Sequence, residues 1–153
     1  MKPISNEVSP IGWREWVGLP ELQIPRIKCK VDTGARSSAL HAFSVESFQK
    51  EGEEWVRFGM HPMQHDTEQV IWCEARVHDK RAVTDSGGHT TERYFIKTDV
   101  MVGQERFAIE VSLTSRDTML FRMLLGREAL RQRFVVVPEA SYLQPLCADK
   151  ASQ

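Results

Sequence analysis

The chain has 153 residues, which suits one domain with a core of its own. Hydrophobic residues make up 41%, charged residues 27%, and the formal charge is −1, so the bulk balance carries no nucleic-acid footprint. No apolar run approaches the ~18 residues of a membrane span, and an N-terminus with Glu7, Arg14 and Glu15 lacks the apolar centre of a signal peptide; a cytoplasmic location off the membrane is the expectation.

In chain order, the residues before Trp13 show no pattern and read as a loosely held tail. Ile27, Cys29 and Val31 then alternate with Lys28, Lys30 and Asp32, as on a half-buried strand. Residues 43–49 and 55–60 flank Glu51-Gly52, a hairpin signal. Residues 70–77 form a further strand. The glycine-bearing turn Asp85-Ser86-Gly87-Gly88-His89 lies between strand-like residues 81–84 and 91–96. Gly103-Gln104 joins residues 94–102 to 106–113, where Phe107, Ile109, Val111 and Leu113 alternate with Ala108, Glu110 and Ser112. Met123-Leu124-Leu125 leads into the one helical segment, 126–132, about two turns of good helix formers. A short apolar run at 134–137 stops at Pro138, and a second tail follows Leu143. The sum is a single all-β domain over residues 1–153, with a core of about 11–138, tails at 1–10 and 144–153, and one short C-terminal helix. Three cysteines, Cys29, Cys73 and Cys147, form no C-x-x-C pair; the odd count fits reduced thiols.

One motif carries chemistry. Asp32-Thr33-Gly34 closes a strand and is followed by the small residues Ala35, Ser37, Ser38 and Ala39. Alone, it is also ordinary turn chemistry. Far downstream, Leu124-Leu125-Gly126-Arg127 enters the helix, and the turn at 85–89 lies between the two. Together these resemble the retropepsin-like aspartic proteases. Residues 31–42, with Ser115-Arg116-Asp117 and residues 121–127, are more closely similar to a bacterial branch labelled ATP-dependent zinc protease and associated with ATP-grasp glutamate ligases. The resemblance covers about residues 11–138.

The resemblance implies a closed barrel with a flap hairpin. It implies Asp32 as the catalytic carboxylate with Thr33 and Gly34 beside it. Ala35, Arg36, Ser86, Gly87, Gly88 and Arg127 would then contact substrate. A single motif supplies half a carboxylate dyad, so the resemblance also implies a homodimer in which two Asp32 residues share one proton and activate water. The expected activity is that of an aspartic-type peptidase on peptide or glutamyl amide bonds. The alternatives are a non-catalytic peptide-binding module of the same fold and, more distantly, a zinc-dependent hydrolase.

One departure bears on substrate. Viral retropepsins place an acid soon after the motif, paired with the arginine that follows the second glycine. Here Arg36 stands in that region and Arg127 is kept. Two guanidinium groups would form an anion subsite for an acidic peptide. Alternatively, Glu128 or Asp117 neutralises one of them in an ion pair. No cofactor is expected: there is no His-Glu-x-x-His and no phosphate loop, and His41, His61, His65, Cys73, His78 and His89 are scattered. Zinc is suggested by the label alone.

Overall fold

The computed structural model describes residues 8–115 and 120–145. Arg116, Asp117, Cys147 and the outer parts of both tails lie outside the described residues. The elements are β1 (Ser9–Ile11), β2 (Arg14–Leu19), a 3-10 turn (Pro20–Leu22), β3 (Ile24–Asp32), β4 (Ser38–His41), β5 (Ser44–Lys50) and β6 (Glu53–Met60). After them come β7 (Ile71–Arg76), β8 (Asp79–Thr84), β9 (Thr90–Val102), β10 (Glu105–Thr114), β11 (Met123–Gly126), α1 (Arg127–Leu130) and β12 (Phe134–Val136). The all-β class stands. Among the described residues no helix is long and apolar enough to cross a membrane.

The main sheet runs β10-β4-β11-β3-β2-β9, and β9 pairs again with β10, so the pairings form a ring. The 13-residue β9 makes this possible: its first half pairs with β8, its second half with β10, and Met101 with Gly18 of β2. Strands β5, β6 and β7 form a separate meander, whose Val56, Phe58 and Cys73 turn inward. Val17, Ile27, Cys29, Leu40, Val111 and Leu125 are fully or almost fully buried within the same core.

The feature that positions the site is the place of β11. It lies parallel to β3 and antiparallel to β4, although those two strands are neighbours in the chain. The connection 33–37 must therefore pass over the end of β11. Gly126 pairs with Asp32 at that crossing. A Cβ on Gly126 would fall 2.4 Å from the Ser37 carbonyl oxygen. Only glycine admits so close a backbone.

Two local expectations are corrected, and two strands are present that the sequence pattern does not signal. The helix has four residues, 127–130, because Arg131 turns extended (φ −57°, ψ 132°) and Gln132 is left-handed (φ 64°). It survives on the burial of Ala129 and Leu130, since one turn has no stability of its own. Residues 9–11, read as tail, form β1 and pair in parallel with β12. Strand β2 went unread because Glu15 breaks its apolar face. That carboxylate is wholly buried and accepts N–H bonds from Gly12 (2.7 Å), Leu143 (2.9 Å) and Gln144 (3.1 Å). Strand β4 went unread because all four of its residues are buried, which erases the period of two.

Candidate functional site

Asp32 ends β3 half-buried, with Thr33 and Gly34 exposed beyond it. Its Oδ1 accepts the Gly34 N–H at 2.9 Å. No described group donates to its other carboxylate oxygen. Behind the loop, the β11–α1 junction grips successive carbonyls. The Arg127 N–H donates to Ala35 O (2.7 Å) and the Glu128 N–H to Arg36 O (3.1 Å). The Arg127 guanidinium donates to Thr33 O at 3.0 Å, and the Gly126 N–H to Ser38 Oγ at 3.0 Å. The two distant sequence motifs are thus one structural unit.

The turn itself is not distinctive. Asp85 Oδ1 accepts N–H bonds from Gly87 and His89, both at 2.9 Å, at the tip of the β8–β9 hairpin. Asp32 and Asp85 therefore share the same aspartate-turn bond. Ser86, Gly87 and Gly88 are exposed at that tip, where Gly88 takes a left-handed φ of 83°.

Arg36 and Arg127 do not stand as two open cations. Arg36 Nε pairs with Glu128 Oε1 at 2.8 Å, and Arg127 is spent partly on the Thr33 carbonyl. The hydrogen bond and charge of Arg36 hold the Glu128 carboxyl below its usual range, and Glu128 raises Arg36 in return. With the side chains 80% and 50% exposed, this pair is weakly held.

Beside it lies a recess of about 290 Å³, lined by Ser37, Ser38, His78, Lys97, Glu110 and Glu128 among others. Arg81 forks onto Glu110 (2.7 and 2.6 Å) and also reaches Asp79 (2.6 Å). That bonding draws both carboxyls below their usual values and raises Arg81. Sequence reasoning missed this cluster. The available signal was the cross-strand position of Lys97 opposite Glu110, and the structure gives that carboxylate to Arg81 instead.

The histidines do not converge. His41, which sequence placed near the cleft, is buried with Nδ1 2.6 Å from Thr114 Oγ1. His61 stacks on Phe43, and His78 Nε2 is 3.4 Å from Glu110. Cys73 is buried, with its thiol directed at Leu22 O (3.5 Å). Among the described residues no three His, Cys, Asp or Glu side chains are grouped to hold a metal ion. The zinc of the label has no fitting ligand set there.

Comparison with known proteins corrects the expected activity. A protein of Desulfotalea psychrophila named "Probable alpha-L-glutamate ligase" is 44% identical over 84% of this chain. Relatives with the same name from Shewanella pealeana and Parasynechococcus marenigrum are 42% and 45% identical over 86% of it. A ligase forms the glutamyl amide that a peptidase would break, so the reading as a hydrolase or protease is overturned, and these relatives do not carry the zinc-protease label. The chain matches only 28% of the first relative's length. A crystal structure of a Legionella pneumophila protein of unknown function (DUF785) superposes with a TM-score of 0.73 at 25% identity, covering 91% of this chain and 98% of that one. The model of an enzyme family, described as "Retropepsin-like aspartic endopeptidase RimB", matches residues 10–146, and the chain belongs to that RimB-like family.

Proposed function

We propose that the chain is a glutamyl-chain-holding module that serves α-L-glutamyl ligation. The observation that carries this is the form of the match. The domain aligns along 84% of its length with a ligase-named protein but fills only 28% of it. In this reading the remainder of such proteins forms the bond, and the retropepsin-like part retains the acidic chain being built.

The loop chemistry supports the reading. Arg36 is largely solvent-exposed, and exchanging its Glu128 partner for a ligand carboxylate costs little. Asp32 keeps one carboxylate oxygen for a substrate N–H, and Thr33, Gly34 and Ala35 offer backbone groups around it. Arg127 holds this loop in shape through the Thr33 carbonyl. The ring of strands closes as a barrel, the β8–β9 hairpin with Ser86, Gly87 and Gly88 serves as a flap over the bound chain, and a second copy meets the first across the two Asp32 loops.

Calorimetric titration tests this with two peptides that differ only in ending in glutamates or in glutamines. Binding at least tenfold tighter for the glutamate form is expected. Equal affinity for both would overturn the reading.

A further inference from the structure

The outer face of β2 and β3 carries a run of cations that the proposed site does not use. Arg14 stands opposite Lys30, and Trp16 opposite Lys28. Their neighbours on the other parity, Glu15, Val17, Ile27 and Cys29, are buried, so Arg14, Trp16, Lys28 and Lys30 point outward together. Arg26 joins them with its guanidinium 5.2 Å from the Trp16 ring. None of the four cations forms an ion pair with a described residue. Of the two acids on these strands, Glu15 is turned inward and occupied by three backbone N–H groups, and Asp32 closes β3 with its Oδ1 accepting the Gly34 N–H.

Aromatic rings hold three of the cations, Arg14, Arg26 and Lys28, in place. Trp16 and Tyr142 stack at 6.5 Å. Lys28 Nζ lies 5.0 Å from the first ring and 5.7 Å from the second. Arg14 sits 4.7 Å from Trp13 and 5.1 Å from Tyr142. Such contacts order long side chains without neutralising them. A chain of net charge −1 has thus gathered on one two-stranded face four cations that form no ion pair with a described residue.

The strip is continuous with the candidate site. Lys28, Lys30 and Asp32 share one parity of β3. Alternate residues of a strand lie about 6.7 Å apart, and an extended acidic peptide presents alternate carboxylates at the same interval. We propose that the β2–β3 face is a docking track for an extended, glutamate-rich polypeptide, leading its end toward the Asp32 loop. This rests on the glutamyl-chain reading above and adds a second, separate surface to it.

The test is fluorescence anisotropy with a labelled octamer of L-glutamate and, in parallel, a labelled RNA octanucleotide. Proteins compared are the wild type, Lys28→Gln/Lys30→Gln, Arg26→Gln/Lys30→Gln, Arg36→Ala and a remote control, Lys50→Gln. Both doubles remove a cation from the Trp16 ring, so the single variant Lys30→Gln, whose side chain makes no ring contact with a described residue, is measured beside them and should also weaken binding if charge rather than packing is responsible; circular dichroism checks the fold of each. Loss of two surface ion contacts predicts roughly tenfold weaker oligoglutamate binding in both doubles, with the control unchanged and the difference fading at high salt. Undiminished binding in the doubles, with weakening in Arg36→Ala, would overturn the track and leave the loop reading standing. Absence of oligoglutamate binding by the wild type would overturn both. RNA binding tighter than oligoglutamate binding, and lost in the doubles, would assign the face to nucleic acid and overturn the proposal.

Discussion

Replacing Gly126 with alanine isolates the crossing on which the site is built. The backbone at Gly126 (φ −86°) is open to any residue, so the substitution is purely a matter of space. The added Cβ would meet Ser37 O at 2.4 Å, Ser37 C at 2.5 Å and Ser38 N at 3.0 Å. All three are backbone atoms, so no side chain can swing aside. The 33–37 connection must lift from β11, stretching the Gly126 N–H bond to Ser38 Oγ. Overpacking of this kind costs about 1–3 kcal/mol, and weakening one neutral hydrogen bond adds about 1 kcal/mol. The control is Gly52→Ala, where nothing lies within 4 Å but φ is +78°; left-handed strain there predicts about 1–2 kcal/mol. Urea unfolding reads both, and glutamyl-peptide titration reads the site. Gly126→Ala should lose both stability and affinity, whereas Gly52→Ala should lose stability alone. A Gly126→Ala protein within about 0.5 kcal/mol of wild type, the size of an ordinary surface change, would refute the reasoning.

Other consequences follow from the same fold. Glu15→Ala leaves three N–H groups without their buried acceptor, and a loss of about 3 kcal/mol or more in urea unfolding is expected. Burial pushes the Cys29 and Cys73 thiols up to about 12. They should resist alkylation in the native state at pH 8 and react on unfolding. Their raised values also mean that the folded state holds protons which the unfolded chain releases above its ordinary value near 9. Stability should therefore decline from about pH 9 toward 12, and pH-dependent unfolding checks the sign. In acid the direction reverses. Glu128 and Glu110 are held below their usual values by Arg36 and Arg81, so their pairing is present at neutral pH and lost as pH falls through those lowered values. Carboxyl NMR titration should show both titrating below a model glutamate, and Arg36→Ala should restore Glu128 alone. Light scattering should give twice the chain mass if two Asp32 loops meet across a two-fold axis; a monomer at working concentration would remove that part of the reading.

Much of the fold was legible where side chains repeat with a strand's period. Residues 106–113 alternate cleanly and became β10, and Glu51-Gly52 and Gly103-Gln104 mark turns that the structure also makes, with Gly52, Gly103 and even Glu51 at positive φ. The strands that went unread have physical reasons. In β4, Ser38, Ala39, Leu40 and His41 are buried on both faces, so no alternation remains. In β2 the apolar parity holds a buried glutamate, two of whose three N–H partners come from the other end of the chain. Sequence reasoning paired the Asp-Thr-Gly and Leu-Leu-Gly-Arg motifs, and the backbone bonds from Arg127 and Glu128 to residues 35 and 36 supply the physical link. The competition for Glu110 was illegible for a different reason. Lys97 faces it across β9–β10, but Arg81 reaches over from β8 with a two-pronged bond that a single ammonium cannot match. Activity was the least legible part. Asp32 and Asp85 make the same local turn bond, so nothing in a strand-end Asp-Thr-Gly separates breaking a glutamyl bond from holding one.

Amide hydrogen exchange with and without a glutamate-terminated peptide tests the central claim most directly. The account predicts slowed exchange in residues 33–37 and at Arg127 and Glu128, with the glutamine-terminated peptide giving none. Protection confined to other parts of the chain, or identical protection by both peptides, would contradict it.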